Sequence, residues 1–373
     1  MFETMKAEAE SLVEPVASFE AKTRSSLTIN DVARIAGVSK KTVSRVINRS
    51  AGLNPQTRLS VERVIAELGY TPNPQARALA RGRNFLIGLV HGNPNAQTVL
   101  NVQRGMLDAL GGSDFEMLVR PVDRKSPTLV EDLRDFIDRN RLHGLLLVPP
   151  LSENEAVAQM CRDAGCRYVR MGSTVLDEAD RSIASNDRVV VREATDHLIA
   201  QGHRRIGLVA GPDGFRSAIE RRAGFEDALR GAGLPLFLDL VERGDYLFDS
   251  GIAAGERLLG RPDRPTAIFA SNDEMAVGVI HVAYRMGLDV PGDLSVIGFD
   301  GTPVAAQLWP PLTTVMWPVA AMARAATFKL IGPALLPDQA AEAQQLCLPA
   351  SVIHRGSVAP PRQADQQQPG ASR

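Results

Sequence analysis

Residues 28–48, which read TINDVARIAGVSKKTVSRVIN, decide the fold of the amino-terminal part of this chain. Two short amphipathic segments meet at Gly37, whose backbone can adopt the conformations that a tight turn needs. Thr28 or Asn30 can cap the first segment, and Ser39 can cap the second. The apolar face of the first segment is formed by Val32, Ala33, Ile35 and Ala36. The stretch therefore predicts two short helices joined by a turn.

The second of these segments is rich in hydrogen-bond donors on the face opposite Val43, Val46 and Ile47. This arrangement predicts a helix-turn-helix, in which the second helix enters the major groove of DNA. Long donors suit the O6 and N7 atoms of guanine, whereas shorter polar side chains suit phosphates and sugars. We therefore expect base contacts from Lys40, Lys41 and Arg45, and backbone contacts from Thr42, Ser44 and Asn48. The DNA-binding set of this head also includes Thr28 and Ser39.

A third helical segment and a basic neck follow the helix pair. The dipeptide Asn54-Pro55 is typical of a helix start. The neck, residues 70–83, reads YTPNPQARALARGR, and residues 74–80 can form a short helix that Asn73 caps. Seven residues are too few for a stable helix in isolation. We therefore expect this hinge helix to form only when something packs against it.

Charge is distributed unevenly along the 373 residues, although the formal net charge is only -1. Residues 22–83 carry twelve Lys or Arg and three Asp or Glu, a net charge of +9. Residues 1–21 have a net charge of -4, and residues 84–373 have a net charge of -6. A basic block of this kind is either a solvated surface or a contact for a polyanion. Its overlap with the donor-rich helix favours DNA.

From residue 85 the pattern changes to short apolar runs that alternate with amphipathic segments of roughly 10–15 residues, which is typical of βαβ units and parallel sheets. The first run is Phe85–Val90 and the last clear one is Leu294–Gly298. The alternating pattern, from residue 85 to residue 298, is longer than one compact sheet with its helices needs. The expected fold is therefore an all-α helix-turn-helix head and a two-lobed α/β body with parallel, doubly wound sheets.

Polar residues follow several of the expected strands. Ligands of open parallel sheets bind outside the carboxyl ends of the strands. Asn93 and Asn95 follow the first strand, and the pair Asn272-Asp273 follows a later one. Asp300 follows the last one. Together they predict a polar cleft that suits a hydroxyl-rich ligand.

Several of these residues have a second interpretation. Asn93 and Asn95 are also typical of turns, since Asn-Pro often starts one. Asp273 can serve only as a helix cap. Arg221, on the helix after the strand Ile206–Ala210, reaches either a ligand or an acidic neighbour.

The chain resembles the LacI/GalR family of bacterial transcription regulators over residues 28–357. The resemblance begins with DVARIAGVSKKTVSRVIN at residues 31–48 and continues through the neck at residues 70–83. In the body it rests on DHLIAQGHRRIGLVAGP, RRAGFEDAL, SNDEMAVG, DLSVIGFDGTP, PPLTTV and LPASVIHRGS, which occur in the order of the family. It implies a periplasmic-binding-protein-like body, an operator that is roughly palindromic and a homodimer that binds it.

The resemblance assigns roles in the neck. Leu79 matches the leucine that the family inserts into the minor groove at the centre of the operator, where such a wedge kinks the duplex. Ala76 matches the small residue that lets the hinge approach the groove. Asn73 and Arg77 complete the expected DNA-binding residues, Arg77 as a phosphate ligand or a solvated charge.

The resemblance also assigns roles in the cleft. Arg221 matches the arginine that clamps the ligand, and Asp300 matches the cleft aspartate. Asn272 and Asp273 match the family's Asn-Asp pair, Tyr246 matches the aromatic residue that stacks on the ligand, and Ser217 matches a weaker polar contact. The implied effector is a small sugar or a sugar derivative, and the implied function is repression of carbohydrate-utilisation genes. Whether the effector releases the protein from DNA or tightens binding stays open.

Two departures from the family pattern bear on the effector. Ser185 stands where many relatives carry Asp, and Gly172 stands where many have an Asp at the end of the fourth strand. Arg170 lies two residues before Gly172. A neutral sugar is the first expectation, and a sugar acid or sugar phosphate becomes plausible through charge-assisted bonds to Arg170.

The expected domain plan follows from these patterns. It consists of a flexible extension over 1–26, a helix-turn-helix domain over 27–70, a hinge and linker over 71–84, an effector-binding and dimerisation body over 85–357, and a disordered tail over 358–373. Within the body we expect one lobe at about 85–186 and 318–340, and the other at about 187–317 and 341–357.

The sequence also argues against other classes of protein. It shows no signal peptide and no apolar run near the roughly 18 residues that a membrane span needs. Cys161, Cys166 and Cys347 form no zinc pattern, so we expect free thiols, no metal and a cytoplasmic protein. A periplasmic sugar-binding protein would need a signal peptide and no basic head. No P-loop, Gly-x-Ser-x-Gly or dinucleotide fingerprint is present, so we expect neither an enzyme nor a cofactor.

Overall fold

The computed structural model describes residues 27–47, 52–70, 85–332 and 337–362. The chain divides into two compact units, Met1–Asn84 and Phe85–Arg373. Within the described ranges, no helix has the length and apolar content that crossing a membrane requires.

Within residues 27–47 and 52–70, the described part of the first unit, there are three helices, α1 (Ile29–Ile35), α2 (Lys40–Ile47) and α3 (Pro55–Leu68). Gly37 lies between α1 and α2 with φ of 64°, a conformation that glycine adopts without steric cost. Thr28 is the N-cap residue of α1, and the Asp31 carboxylate accepts hydrogen bonds from its backbone N at 3.0 Å and from its hydroxyl at 2.8 Å. The three helices bury a shared apolar core of Val32, Ala33, Val43, Val46, Val61 and Val64. The predicted helix pair and third helix are confirmed.

The first sheet of the body is fully parallel, with the strand order β2-β1-β3-β4-β5. Because parallel strands need crossover connections, three helices alternate with them, and a fourth helix also packs against the sheet. The elements in chain order are β1 (Leu86–His91), α4 (Ala96–Leu110), β2 (Glu116–Pro121), α5 (Leu129–Asn140), β3 (Gly144–Leu147), α6 (Glu155–Asp163), β4 (Arg167–Gly172) and β5 (Ser182–Ala184). The fourth helix is contributed by a later part of the chain.

The second sheet has the strand order β11-β10-β9-β8-β6-β7, in which only β11 is antiparallel to its neighbour. It begins after the chain crosses to the second lobe at residues 185–187. Its elements are α7 (Asp187–Ala200), β6 (Ile206–Ala210), α8 (Arg216–Gly231), β7 (Val241–Arg243), α9 (Phe248–Leu259), β8 (Ala267–Ala270), α10 (Asp273–Arg285), β9 (Ser295–Asp300), α11 (Pro303–Gln307) and β10 (Thr313–Met316).

The chain then returns to the first lobe. Helix α12 (Val319–Ile331) packs against α4, β3 and β4. Gly105 of α4 approaches Ala320 so closely that a Cβ atom there would lie 2.0 Å from the Ala320 carbonyl oxygen. After α13 (Ala340–Ala343) the chain crosses once more and ends the second sheet with β11 (Ser351–Ile353). Each lobe is therefore assembled from separate stretches of sequence.

Residues 358–362 belong to the described part of the chain. Disorder was predicted from Val358, but residues 358–362 are ordered against the second lobe. The backbone N of Ala359 donates to Ser295 Oγ at 3.0 Å, and its carbonyl accepts from the same hydroxyl at 3.0 Å. His203 Nε2 also bonds the Ala359 carbonyl at 3.0 Å. Residues 363–373 and the extension 1–26 lie outside the described residues.

Candidate DNA-reading surface and ligand cleft

Helix α2 presents the expected donors on its outer side. Lys40 and Lys41 are exposed, while Thr42, Ser44 and Arg45 are partly buried. Ser39 caps the helix, because its hydroxyl accepts from the backbone N of Thr42 at 3.1 Å. The amino end of α2 therefore combines two lysines with the positive end of a helix, which is the arrangement that attracts phosphate and base acceptors.

The other predicted DNA contacts fall outside the described residues. They are Asn48 at the end of the second helical segment, and Asn73, Ala76, Arg77 and Leu79 in the neck. Their roles stay predictions.

The candidate ligand cleft lies between the two lobes, at the carboxyl ends of the strands of both sheets. Its volume is about 460 Å³, including the open mouth. Seven of the nine residues predicted for effector binding line it, namely Asn93, Asn95, Ser217, Arg221, Tyr246, Asn272 and Asp300. The strand-end rule predicted Asn93, Asn95, Asn272 and Asp300 among them, whereas Ser217 and Tyr246 were implied by the family resemblance.

Arg221 lies at the centre of the cleft and is 4% exposed. Its Nε donates to Asp187 Oδ2 at 2.9 Å, and its Nη1 donates to the Ser271 carbonyl at 2.6 Å. The guanidinium carbon also lies 3.5 Å from the centre of the Phe299 ring. Burial lowers the pKa of Arg221, but attraction from the neighbouring acidic groups, first Asp187, outweighs it and raises the pKa. Arg221 is therefore a fixed cation, and the expected acidic neighbour is Asp187.

Asp300 ends β9 with its side chain 11% exposed. Its φ of 113° is rare for a residue with a side chain, and such strain concentrates at functional sites. Its carboxyl oxygen lies 3.9 Å from Arg221 Nη1, too far for a hydrogen bond, and the described residues form no hydrogen bond to this carboxyl group. Burial raises the pKa of Asp300 well above its usual value, although Arg221 opposes this. The carboxyl group thus lines the cleft with unused hydrogen-bonding capacity.

Tyr246 forms part of the apolar wall of the cleft. Its hydroxyl bonds Ser217 Oγ at 3.0 Å, and its ring lies 5.9 Å from that of Phe215. A Cβ atom on Gly211 would lie 2.4 Å from the Tyr246 ring, so the glycine leaves the space that the ring occupies. Asn272 fixes the backbone here by donating to the Tyr246 carbonyl at 2.9 Å.

Asn93 and Asn95 shape the opposite wall. Asn95 caps α4 by accepting from the backbone N of Thr98 at 3.0 Å. Asn93 accepts from the backbone N of Asn95 at 2.8 Å and donates to the Pro149 carbonyl at 2.9 Å. Both asparagines therefore hold turns and line the cleft at once, so the two interpretations do not exclude each other.

Three contacts join the lobes across the mouth of the cleft. Asn95 Nδ2 donates to Glu274 Oε1 at 3.4 Å, and the backbone N of Arg216 donates to Glu153 Oε2 at 3.0 Å. The guanidinium of Arg124 lies 4.5 Å from the centre of the Phe215 ring. Burial raises the pKa of both glutamates. The lobes are therefore closed on the cleft.

Arg170 does not reach the cleft. Its side chain is 4% exposed and is enclosed within the first lobe. It donates to the Ser152 carbonyl at 2.6 Å, to Glu155 Oε2 at 2.8 Å and to the Leu176 carbonyl at 3.1 Å. The prediction that Arg170 binds an acidic effector is therefore wrong, because its guanidinium forms hydrogen bonds within its own lobe.

Asp273 is also absent from the cleft lining. It is fully buried, and its Oδ2 accepts from the backbone N and hydroxyl of Thr302 at 2.7 and 2.8 Å. Its Oδ1 accepts from Thr314 at 2.5 Å. The neighbouring Asn272 caps α10, so the side chain of Asp273 joins the loop at Thr302 to strand β10 and neither caps the helix nor faces the cleft.

Five polar or aromatic residues of the cleft lining were not predicted from the sequence: Thr98, Ser173, Asp187, Phe215 and Trp317. Ser173 directly follows β4, so the strand-end rule could have found it. Its buried hydroxyl has no hydrogen-bond partner among the described residues. Asp187 and Trp317 lie where the chain crosses between the lobes, and no strand-end pattern marks such positions.

The described residues contain no group of three or more His, Cys, Asp or Glu that could hold a metal ion. All three cysteines are free thiols, as predicted; Cys161 and Cys166 are buried and Cys347 is exposed.

Comparison with known proteins identifies the family. Residues 28–73 match the family model of bacterial regulatory proteins, lacI family, and residues 195–358 match a periplasmic binding protein-like domain. The probable HTH-type transcriptional repressor ExuR of Bacillus subtilis is 31% identical over 85% of this chain and 94% of its own length. This chain belongs to the lacI family of bacterial regulatory proteins.

Two solved structures of lacI-family proteins extend the likeness to the fold. The transcriptional regulator CelR in complex with cellobiose is 32% identical, with a TM-score of 0.64 over 89% of this chain and 99% of that one. The lac repressor dimer bound to operator and the anti-inducer ONPF is 28% identical, with a TM-score of 0.74 over the same shares of the two chains. The head and the two-lobed body of this lacI-family protein therefore occur together in known regulators.

Proposed function

We propose that this protein is a sequence-specific transcriptional repressor of carbohydrate-utilisation genes, which binds a palindromic operator as a homodimer under the control of a small sugar. Family membership supports the DNA-binding role, and the donor-rich outer side of α2 supplies the reading surface. A two-fold dimer reads two half-sites and so gains specificity without a larger head. The role is regulatory rather than catalytic, and the protein acts in the cytoplasm, where the DNA lies.

The observation that carries the sugar proposal is the chemistry of the cleft lining. Asp300 and Ser173 have unused hydrogen-bonding capacity, and Arg221 is fixed between them and the aromatic wall. The rings of Phe215, Tyr246 and Trp317 offer apolar faces, on which the C–H faces of a sugar ring pack. Fixed polar groups beside aromatic faces suit a compact ligand with many hydroxyl groups.

The charge balance of the cleft favours a neutral sugar over an acidic one. Asp187 and Asp300 both line the cavity, and Arg221 already pairs with Asp187. Arg170, which could have bound an acidic group, is enclosed elsewhere. A carboxylate or phosphate in the cleft would therefore meet two carboxyl groups, and Arg221, the cation of the described lining, is already paired with one of them.

Control of DNA binding follows from closure of the lobes. A ligand shifts an equilibrium only by its differential affinity for the two states. A sugar that binds between the lobes favours the closed body, and the closed body changes the affinity of the head and neck for the operator. Whether that change releases or retains DNA is decided by measuring operator affinity with and without the sugar.

The test uses the full chain. Operator sequences are selected from random duplexes, and sugars are titrated calorimetrically: cellobiose, D-glucose and D-ribose as neutral compounds, D-galacturonate and D-glucose 6-phosphate as acidic ones. We expect a two-fold symmetric DNA sequence and binding of a neutral sugar. Tighter binding of an acidic sugar would overturn the assignment of a neutral effector. Failure of all five sugars would overturn the sugar proposal, and absence of enriched DNA would overturn the operator proposal.

A control variant separates the cleft from the head. Asp300→Asn should weaken sugar binding, because an amide replaces an acceptor, and should leave the operator affinity of the sugar-free protein within about twofold. Equal loss of both affinities would show a general folding defect.

A further inference from the structure

Two of the chain crossings between the lobes meet beside the cleft. Residues 185–187 lead from β5 of the first sheet to α7 of the second lobe, and residues 317–318 lead from β10 of the second sheet back to α12 of the first lobe. The indole N–H of Trp317 donates to Ser185 Oγ at 3.1 Å. This hydrogen bond joins two crossings that run in opposite directions.

The hydroxyl of Ser185 has a defined orientation. An indole N–H can only donate, so the hydroxyl oxygen must accept from Trp317. The single proton of the hydroxyl is donated to Asp187 Oδ1, the other hydrogen-bond partner of Ser185. Ser185 and Asp187 are 4% and 1% exposed, so water does not replace either contact. Ser185 therefore connects Trp317 to Asp187 without an alternative partner.

The same chain of contacts continues into the cleft. The second oxygen of Asp187 accepts from Arg221 Nε at 2.9 Å. The backbone N of Trp317 donates to the Asp300 carbonyl at 3.4 Å. Both Arg221 and Asp300 line the cavity, as does the Trp317 ring, whereas Ser185 does not. A ligand in the cleft thus contacts Trp317, Arg221 and Asp300. These residues are connected to Ser185 by hydrogen bonds, while Ser185 itself lies outside the cavity.

A third crossing is joined to the same place. Ala184 exchanges backbone hydrogen bonds with Leu346 and Leu348 at 2.8 and 2.9 Å. The backbone N of Ala350 donates to Asn186 Oδ1 at 2.7 Å. Residues 184–186 therefore contact both of the other crossings. Rotation of one lobe against the other must change the conformation of this segment.

We propose that Ser185 is a positioning residue that couples occupancy of the cleft to the relative orientation of the lobes, and hence to operator affinity, without touching the effector. This inference rests on the proposed function. Hinge motions concentrate backbone changes in a few residues between rigid bodies. A bond between two such segments transmits a change at Trp317 or Arg221 to both crossings, whereas unbonded segments could adjust separately.

The first experiment needs no effector. Hydrogen exchange is measured on the full chain and on Ser185→Ala, with Thr195→Val as the matched control. Thr195 also buries a hydroxyl on the same side of the chain crossing, within α7, but it bonds only the Val191 carbonyl. We expect exchange about fivefold faster at residues 184–187 and 317–319 in Ser185→Ala, and unchanged exchange there in Thr195→Val. Unchanged exchange in both variants would overturn the contact.

The emission of Trp317 gives a second readout of the same contact. Trp309 is the other of the two tryptophans and is 86% exposed. Trp309→Phe therefore leaves Trp317 as the reporter. We expect Ser185→Ala in this background to shift the emission of the sugar-free protein, and Ser185→Thr, which restores a hydroxyl, to return it. An identical emission in all three proteins would count against the assignment.

The coupling experiment compares operator affinity with and without the neutral sugar that binds best among cellobiose, D-glucose and D-ribose. The ratio of the two affinities should fall about fivefold in Ser185→Ala and recover in Ser185→Thr, while the affinity for the sugar changes less than the ratio. An unchanged ratio would overturn the proposal. A loss of both affinities with an unchanged ratio would show that Ser185 only stabilises the fold. If none of the sugars binds the unmutated protein, the proposed function fails, and the exchange and emission results alone decide whether Ser185 joins the crossings.

Discussion

Arg221 donates from Nε to Asp187 Oδ2 at 2.9 Å, and the two side chains are 4% and 1% exposed. The pair lies between a crossing of the chain and the ligand cleft, so it is both a structural contact and part of the binding surface. Removing one partner of an ion pair this deeply buried leaves the other charge without compensation, and this destabilises the fold.

Asp187→Asn should lower the free energy of unfolding by about 3–5 kcal/mol, because the buried guanidinium loses its nearest carboxylate. Urea unfolding of the full chain measures this. The matched control is Asp135→Asn on α5, whose pair with Arg139 is 60% and 77% exposed. It should cost less than about 1 kcal/mol, since exposed pairs contribute little. If the two variants lose the same free energy of unfolding, Asp187 is not needed to compensate the buried charge of Arg221.

Asp300 predicts a specific pH dependence of stability. Burial raises its pKa in the folded protein well above its unfolded value, which is about 3.9. The folded state therefore binds the proton more tightly, and the protein loses free energy of unfolding as pH rises from the unfolded pKa towards the folded one. Asp300→Asn cannot titrate, so its stability relative to the unmutated protein should increase over that range.

Unfolding curves of both proteins between about pH 4 and pH 7 test this difference. Parallel pH profiles would contradict a raised pKa at Asp300. Sugar affinity gives an independent check, because a carboxylate accepts hydrogen bonds from sugar hydroxyls better than a carboxylic acid does. Affinity should therefore rise with pH in the unmutated protein and stay flat in Asp300→Asn.

The sequence predicted much of the cleft because of a geometric rule. The carboxyl ends of the parallel strands meet at one edge of each sheet, and the two edges face the same cleft, so Asn93 of the first lobe and Asp300 of the second both line it. The same rule says nothing about the direction of a side chain within a strand. Arg170 lies inside β4 and turns towards Glu155 and the Ser152 carbonyl, a choice that depends on neighbouring elements and not on its own sequence.

The crossings between the lobes were the least predictable part of the fold. Helix α12 reads VAAMARAATFKLI and is buried on most of its surface, so it lacks the polar face that marks an amphipathic helix. Strands β5 and β11 have three residues each, too few for a clear apolar run. Trp317 and Ser185 lie at the ends of these elements, which is why their contact emerges only from the structure.

Gly211→Ala should disturb the aromatic wall of the cleft. Its Cβ would lie 2.4 Å from Tyr246, which must move or force the backbone apart. We expect a loss of about 1–3 kcal/mol in the free energy of unfolding and weaker sugar binding. Gly231→Ala is the control, since its Cβ would have its nearest neighbour at 3.6 Å, the flexible end of Arg192. If Gly211→Ala binds sugar as well as Gly231→Ala, the position of Tyr246 does not matter for the ligand.

Arg45→Ala tests the reading surface of α2. A side chain that contacts base edges contributes to discrimination between sequences, whereas one that contacts phosphate contributes almost equally to all DNA. We expect the variant to lose about 1–3 kcal/mol of operator affinity and much less affinity for random duplex. Gel-shift titrations with the selected operator and with a scrambled duplex, each at two salt concentrations, separate the two effects. Arg63→Ala is the matched control. It removes one positive charge as Arg45→Ala does, but from α3 instead of α2, and should leave the ratio of the two affinities unchanged. A parallel loss on both duplexes in Arg45→Ala would reassign the residue to the phosphate backbone and transfer base reading to Lys40 and Lys41.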